Sequence, residues 1–458
     1  MGQSWVALGD GVDGPVYCLA VYKNQLYAGG KFATADGTPA SNIARWDGEA
    51  WYPLGSGTNG AVRALFVHDG QLYAGGDFTS CDGLTCSFVA RWDGIGWSAF
   101  GSGLNGPVFS MTEYRRALYI GGDFTRIGST AVNRIAVWDG QAWRPVSGGV
   151  NGTVYALEVT DASELYADLY VGGAFVQQDL ARIAWYHPAY QTLLATVWGG
   201  FNAPVFAFAN YDGGLVAGGS FTSTAAGSAA SHVAQRGHDF NGGTDGDVYA
   251  LRSEGRDLYA AGTFGRVGPG SGLEAANVAK WNGDSWETLG TGTNDTVRTL
   301  VVFQGLLYAG GEFDSAGGRP ANHVARWGAA TGVESVHGEL PLNIRLLQNY
   351  PNPFNPRTTI GYALPRASDV RVQIFSTLGL LAATLVEGVQ EAGSYEVQFD
   401  ASGLASGVYL CQLRVRPLDL PLLDSASGRD AESGTGPGRY SGSGAGEVVQ
   451  TKRLLLLK

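Results

Sequence analysis

One seven-residue phrase recurs through the first two thirds of this chain and constrains its fold more than any other feature. Leu26-Tyr-Ala-Gly-Gly-Lys-Phe32 returns as Leu72–Phe78, Leu118–Phe124, Leu169–Phe175, Leu215–Phe221, Leu258–Phe264 and Leu307–Phe313. Successive starts lie 46, 46, 51, 46, 43 and 49 residues apart, so the unit is copied seven times. Within the second unit, Val62–His68 is an apolar run, Asp69-Gly70 a hairpin turn, and Gln71–Phe78 a second strand. A polar loop leads to Phe88–Trp92, then Asp93-Gly94 and a short fourth strand at Gly96–Phe100. Four antiparallel strands in a unit of this size make one blade of a β-propeller. The paired glycines suit a place where neighbouring sheets approach too closely for a side chain. Trp46, Trp92, Trp138, Trp281 and Trp327 recur as large apolar groups to bury between blades.

The two ends of the repeat predict how the ring closes. The seventh unit supplies strands only at 297–303, 307–313 and 322–327, and residues 328–340 do not resemble a fourth. Ser4-Trp-Val-Ala-Leu-Gly9, near the start of the chain, instead matches Ser285–Gly290 and Ala50–Gly55. An N-terminal strand completing the last blade pairs the otherwise open edges. The expected fold is therefore all-β, a seven-bladed propeller of four-stranded blades over 1–332. The pattern is weakest at 176–243, where His232-Val-Ala-Gln-Arg-Gly-His238 lacks the Trp-Asp-Gly signature, and this reads as repeat decay with the blade retained.

The repeats Asn42–Gly48 and Leu72–Thr79 resemble the kelch-like propeller repeats of bacterial extracellular proteins. They are also similar to repeats in fungal cell-surface polarity-marker proteins. The resemblance covers about residues 4–328 and implies a fold rather than an activity.

Beyond Trp327 the character changes. Residues 333–347 read as a linker, and 348–458 as a small immunoglobulin-like β-sandwich with a Ser/Gly-rich insertion at 417–446. Three separated segments resemble the type A C-terminal sorting domain of the type IX secretion system. They are Gln348-Asn-Tyr-Pro-Asn-Pro-Phe-Asn-Pro356, Asp400–Tyr409 and Thr451–Lys458. Within them Asn349, Pro351, Asn352, Pro353, Phe354, Asn355, Pro356, Lys452 and Lys458 carry the match. The resemblance implies that the type IX machinery is a partner and that the protein is released or held at the outer-membrane surface. No signal peptide precedes Ser4, although export by this route requires one, so the expectation is that the start codon lies upstream.

Composition narrows the function classes. The net charge of −11 opposes nucleic-acid binding, and no apolar run reaches the roughly 18 residues of a membrane-spanning segment. Cys81 and Cys86 are spaced for a small disulfide-closed loop; no further ligands lie nearby for a metal. Cys18 and Cys411 fall within strands and read as small buried hydrophobes.

No nucleophile elbow, phosphate-binding loop or zinc-binding helix motif occurs, and no cofactor is implied. The most regular polar feature is an Asn or Asp three residues before a Val at each entry to a first strand: Asp13, Asn59, Asn105, Asn151, Asn202, Asp245 and Asn294. Such a ring of oxygens at one mouth of the channel suits Ca2+, glycan hydroxyls or a peptide. The competing reading is structural, since Asn and Asp tolerate left-handed backbone and close their own turns, and Gly follows five of the seven. The functional expectation is a non-catalytic binding or adhesion module for an extracellular protein or carbohydrate. A propeller-type polysaccharide lyase or glycosidase would need two convergent acid–base groups at one mouth, and a structural surface component would self-associate.

Overall fold

The computed structural model describes residues 3–456 apart from 102, 161–167, 178–179, 188–191, 196–198, 237, 239, 330–343, 347–348, 350–353 and 418–447. The expected linker, the Ser/Gly-rich insertion and the residues Pro351, Asn352, Pro353 and Lys458 therefore lie wholly or mainly outside the described residues. The chain divides into two compact units, Met1–Ala330 and Thr331–Lys458.

The first unit is a closed ring of seven antiparallel sheets. In the first blade the strands Val16–Tyr22, Gln25–Gly30, Ile43–Trp46 and Trp51–Pro53 run in order from the centre outward. The turn between the first two strands is Lys23-Asn24, with φ of 48° and 56°, and the second blade uses Asp69-Gly70 at 46° and 69°. Positive φ at both central positions gives the turn twist that matches paired strands.

Ring closure follows the sequence expectation. Gln3–Ala7 pairs antiparallel with Val324–Ala329 as the outer strand of the last blade, placing Trp5 opposite Trp327. The inner strand of the last blade, Val297–Phe303, packs against that of the first, Val16–Tyr22.

The fifth blade departs from expectation. Val205–Tyr211, Gly214–Gly219 and Val233–Gln235 form a three-stranded sheet, without a fourth strand among the described residues. The other outer edges carry facing aromatic or apolar pairs, such as Trp46 with Trp51 and Tyr186 with Leu193. The fifth unit has lost the tryptophan signature and the Asp-Gly turn together, and with them the facing pair that joins the outer strand in the other blades. The Phe240 ring lies 5.5 Å from Trp281 of the sixth blade.

Blades are joined by steric fit at the paired glycines. A Cβ on Gly29 would lie 2.6 Å from Val62 Cγ1 of the next blade, and one on Gly310 would lie 2.5 Å from Val16 Cγ1. The outer rim adds directional bonds: the indoles of Trp51, Trp97, Trp286 and Trp5 donate to the carbonyls of Leu8, Leu54, Phe240 and Leu289 at 2.7–3.0 Å. In each case the acceptor lies in the preceding blade. The expected tryptophans thus work in cross-strand pairs; Trp46, Trp92 and Trp281 are buried, while Trp138 and Trp327 are half-buried.

The second unit is a two-sheet sandwich. One sheet contains Arg345–Leu346, Arg357–Leu364 and Gly393–Asp400; the other contains Leu381–Gln390, Ser368–Ser376, Gly407–Pro417 and Val448–Leu456. Alternate residues Val370, Val372, Ile374, Leu413 and Val415 fill the space between the sheets with Ile360, Tyr362 and Phe399.

Candidate functional site

Each of the seven inner strands begins with a β-bulge at the same place. The pairing register skips one residue after Val16, Val62, Val108, Val154, Val205, Val248 and Val297. The skipped residues are Tyr17, Arg63, Phe109, Tyr155, Phe206, Tyr249 and Arg298, all half-buried. A bulge turns its extra residue out of the regular alternation and re-aims the side chain.

These seven side chains form a belt through successive blades. The Arg63 guanidinium lies 4.8 Å over the Tyr17 ring and 5.7 Å from Phe109. Phe109 contacts Tyr155 at 5.8 Å, Tyr155 contacts Phe206 at 5.3 Å, and Phe206 contacts Tyr249 at 5.1 Å. Arg298 completes the series at 4.2 Å over Tyr249. Because the inner strands close a ring, this series of six contacts from the first blade to the seventh follows the ring around the axis. Aromatic–aromatic and cation–π contacts of this kind favour the geometry by roughly 0.5–1.5 kcal/mol each.

The two guanidinium groups are fixed by carboxylates of their own blades. Arg63 Nε donates to both oxygens of Asp77 at 3.0 and 2.9 Å, and Nη2 reaches Oδ2 at 2.8 Å. Arg298 Nε and Nη2 donate to Glu312 Oε1 at 2.9 and 2.7 Å. Burial by itself disfavours the Arg63 cation, but the bonds and charge of Asp77 outweigh it and raise its pKa above the ordinary value.

A third carboxylate gathers hydroxyl and imidazole partners. Asp247 Oδ2 accepts from Ser220 Oγ at 2.8 Å and from Tyr249 Oη at 3.2 Å, and His232 Nδ1 lies 3.6 Å from Oδ1. Burial, followed by the Asp247 charge, raises the Tyr249 phenol above its ordinary range, which keeps it a neutral donor.

The seven Asn and Asp residues lie four positions before the belt and are all exposed. Their contacts are internal to each blade. Asn59 Oδ1 accepts from the backbone amides of Thr79 and Ser80 at 2.8 and 2.9 Å, while Nδ2 donates to Thr79 Oγ1 at 3.0 Å. Asn105 and Asn202 repeat this pattern on Thr125–Arg126 and Thr222–Ser223. Asp13, Asp245 and Asn294 also accept two successive amides, and Asn151 accepts from Val176. None of the seven has positive φ, so none occupies left-handed backbone. They latch the strand entry to the loop about twenty residues later, where in five blades a two-residue hairpin forms, such as Thr34–Ala35 with Thr38–Pro39. Both lone pairs of each such oxygen are thereby engaged in the six blades that accept two amides. Among the described residues no cluster of three or more His, Cys, Asp or Glu is arranged to hold a metal.

Left-handed backbone occurs at another sevenfold position, immediately before the third strand in six blades and within Leu180–His187 in the fourth. Asn42, Phe88, Arg134, Arg182, His232, Asn277 and His323 have φ between 64° and 73°. Most bond both ways across the loop: the Asn42 amide donates to Phe32 O at 2.8 Å and its carbonyl accepts from Gly30 at 3.0 Å.

The cysteines Cys81 and Cys86 form a disulfide within the two-residue hairpin of the second blade, and both are buried. Cys18 and Cys411 are free and buried; burial pushes the Cys411 thiol up to about 12.

In the second unit, the described motif residues serve the sandwich core. Asn349 is buried, with Nδ2 donating to Thr358 Oγ1 at 2.9 Å, and Phe354 is buried 6.0 Å from Phe399. Phe354 also bridges in parallel to Leu456 of the last strand. Asn355 is exposed, the Pro356 carbonyl accepts from the Ala401 amide at 2.9 Å, and Lys452 is exposed opposite Cys411.

Residues 348–416 match the family model described as the secretion system C-terminal sorting domain. No curated protein matches the chain. Among solved structures, the WD40 β-propeller domain of Doa1 is similar at 15% identity and a TM-score of 0.42, covering 72% of this chain and 98% of that one. The GH74 xyloglucanase from Xanthomonas campestris is similar at 11% identity and a TM-score of 0.34, covering 90% and 91%. The blade count and ring closure rest on the strand pairing described above. The chain is therefore an all-β propeller protein carrying a type IX secretion-system sorting domain, which indicates secretion or placement at the outer-membrane surface.

Proposed function

We propose that the protein is an exported, non-catalytic binding module, a kelch-like propeller whose ligand site is the axial belt. The observation that carries this reading is the belt itself: one aromatic or guanidinium side chain per blade, half-exposed and presented by the same bulge seven times. A purely structural channel would be served as well by small apolar residues at the bulge. Seven planar π-surfaces at one mouth are costly to leave facing water and suited to a ligand's apolar face.

The polar groups around the belt support binding over catalysis. A glycosidase general acid needs a carboxyl kept protonated by an apolar or like-charged setting, whereas Asp77 and Glu312 each face a guanidinium. Ser220 donates its proton to Asp247, which also accepts from Tyr249, so the carboxylate is held as an acceptor of two hydroxyl groups. The test is an array of extracellular polysaccharides and matrix proteins probed with the full chain and with a Tyr155→Ala/Phe206→Ala variant, with soluble products assayed in parallel. Binding lost in the variant and no product release is the expected result. Retained binding would remove the belt from the account, and product release would overturn the non-catalytic reading.

A further inference from the structure

We infer that the axial belt takes an uncharged oligosaccharide, an inference that rests on the belt being the binding site. Three observations select the ligand class. The first is the two-sided character of the mouth. Phe109, Tyr155, Phe206 and Tyr249 form an uninterrupted aromatic arc through blades three to six. The opposite side carries the ion pairs Arg298–Glu312 and Arg63–Asp77. A pyranose ring has the matching division, with an apolar C–H face and a rim of hydroxyls.

The second observation is charge. Both belt guanidinium groups are already neutralised by multiply bonded carboxylates, so an anionic ligand would have to displace Asp77 or Glu312, and a cationic one would have to displace an arginine or compete with the Ser220 and Tyr249 donors of Asp247. A hydroxyl displaces neither. It accepts from a guanidinium N–H and donates to the adjoining carboxylate, inserting beside the pair. The chain's net charge of −11 adds a general repulsion toward polyanions.

The third observation is size. Seven side-chain centres set around a closed ring at the mean of the six blade-to-blade spacings would lie on a circle of radius about 6 Å, and van der Waals half-thicknesses would leave an opening of about 5–8 Å. An α-helix, about 10–12 Å across with its side chains, does not enter. A single sugar chain presented end-on does. An extended peptide also fits by width, but each of its backbone amides would need a partner, and the aromatic arc offers few acceptors.

The experiment is isothermal titration of the full chain with neutral cellohexaose, xylohexaose and mannohexaose, beside an oligogalacturonate and a proline-rich decapeptide. The expected result is saturable binding of at least one neutral hexasaccharide. Binding should weaken at least tenfold in Tyr155→Ala and in Phe206→Ala, with circular dichroism confirming that both remain folded. Asn59→Ala, in the blade latch, should leave affinity unchanged. Belt-dependent binding confined to the oligogalacturonate or the peptide would overturn the uncharged-glycan inference and leave the belt as the site. Hexasaccharide binding that ignores both belt substitutions would overturn the two together, and no binding of any neutral hexasaccharide would overturn the ligand class.

Discussion

Val62 of the second blade occupies the space that a side chain on Gly29 of the first would need, since a Cβ there would lie 2.6 Å from Val62 Cγ1. The next residue, Arg63, is the bulge residue whose guanidinium covers Tyr17 of the first blade at 4.8 Å. Two adjacent residues thus perform the two tasks of the repeat. The valine locks one blade to its neighbour, and the residue after it joins the axial belt.

Filling that lock should destabilise the ring. A Cβ on Gly121 would lie 2.4 Å from Val154 Cγ1, so Gly121→Ala should cost about 1–3 kcal/mol in a denaturant titration. The sixth blade already has Ala261 at the equivalent position, buried beside Val297 in one core cluster, so Ala261→Gly should change stability by no more than about 1 kcal/mol.

The closing strand should carry a disproportionate share of stability. Trp5 is 2% exposed, donates its indole N–H to Leu289 O at 2.8 Å and packs 5.5 Å from Trp327. Trp5→Ala should cost about 3–5 kcal/mol, visible as a lower thermal midpoint for the whole propeller transition. A separate early transition confined to the last blade would show that ring closure is not cooperative.

The Asn and Asp latches should affect stability without affecting binding. Asn59→Ala removes an oxygen that accepts two backbone amides, at a cost of about 0.5–1.5 kcal/mol because water can reach the exposed site. Asn59→Asp keeps the acceptor and should retain most of the stability. Thermal melts of the two variants distinguish an acceptor from a merely polar residue.

His323 should confer a pH dependence. Burial pushes its pKa below the ordinary 6.5, partly offset by the Gly311 carbonyl and by the charges of Asp314, Asp13 and Glu312. The unfolded chain therefore takes up the proton first as the pH falls. The contribution of the neutral ring is complete above pH 6.5 and is lost as the pH drops through the folded value. His323→Asn, which installs the residue found at this position in the first and sixth blades, should flatten the decline in thermal midpoint between pH 7 and pH 5.

Much of the fold was legible because the repeat states it redundantly. Six glycine pairs in seven copies of the phrase, the tryptophans and the displaced N-terminal strand each report the same ring, and the pairing of Trp5 with Trp327 is the register expected from the match of Ser4–Gly9 to the outer strands. The belt was not legible for a physical reason. Alternation gives Tyr17 and Cys18 opposite faces of an ordinary strand, and only the bulge turns Tyr17 toward the axis. Its repeat partners are Arg, Phe and Tyr, which read as variation until their shared planar π-surfaces are seen in contact. Regularity drew attention to the Asn and Asp positions instead, where it reflects a backbone bond common to all blades. A usable signal was nevertheless present, because the residue after each entry valine is aromatic in five units and arginine in two. That the fifth blade shows three strands among the described residues was foreshadowed by the absent Trp-Asp-Gly at 232–238, and those three strands are the blade that repeat decay was expected to retain.

The most direct test of the central claim is a crystal structure of the full chain grown with the tightest-binding neutral hexasaccharide. The account predicts a sugar ring stacked on Tyr155 or Phe206, with hydroxyls bonded to the Arg63–Asp77 or Arg298–Glu312 pair. Sugar bound on the outer blade faces, with the belt empty, would contradict it.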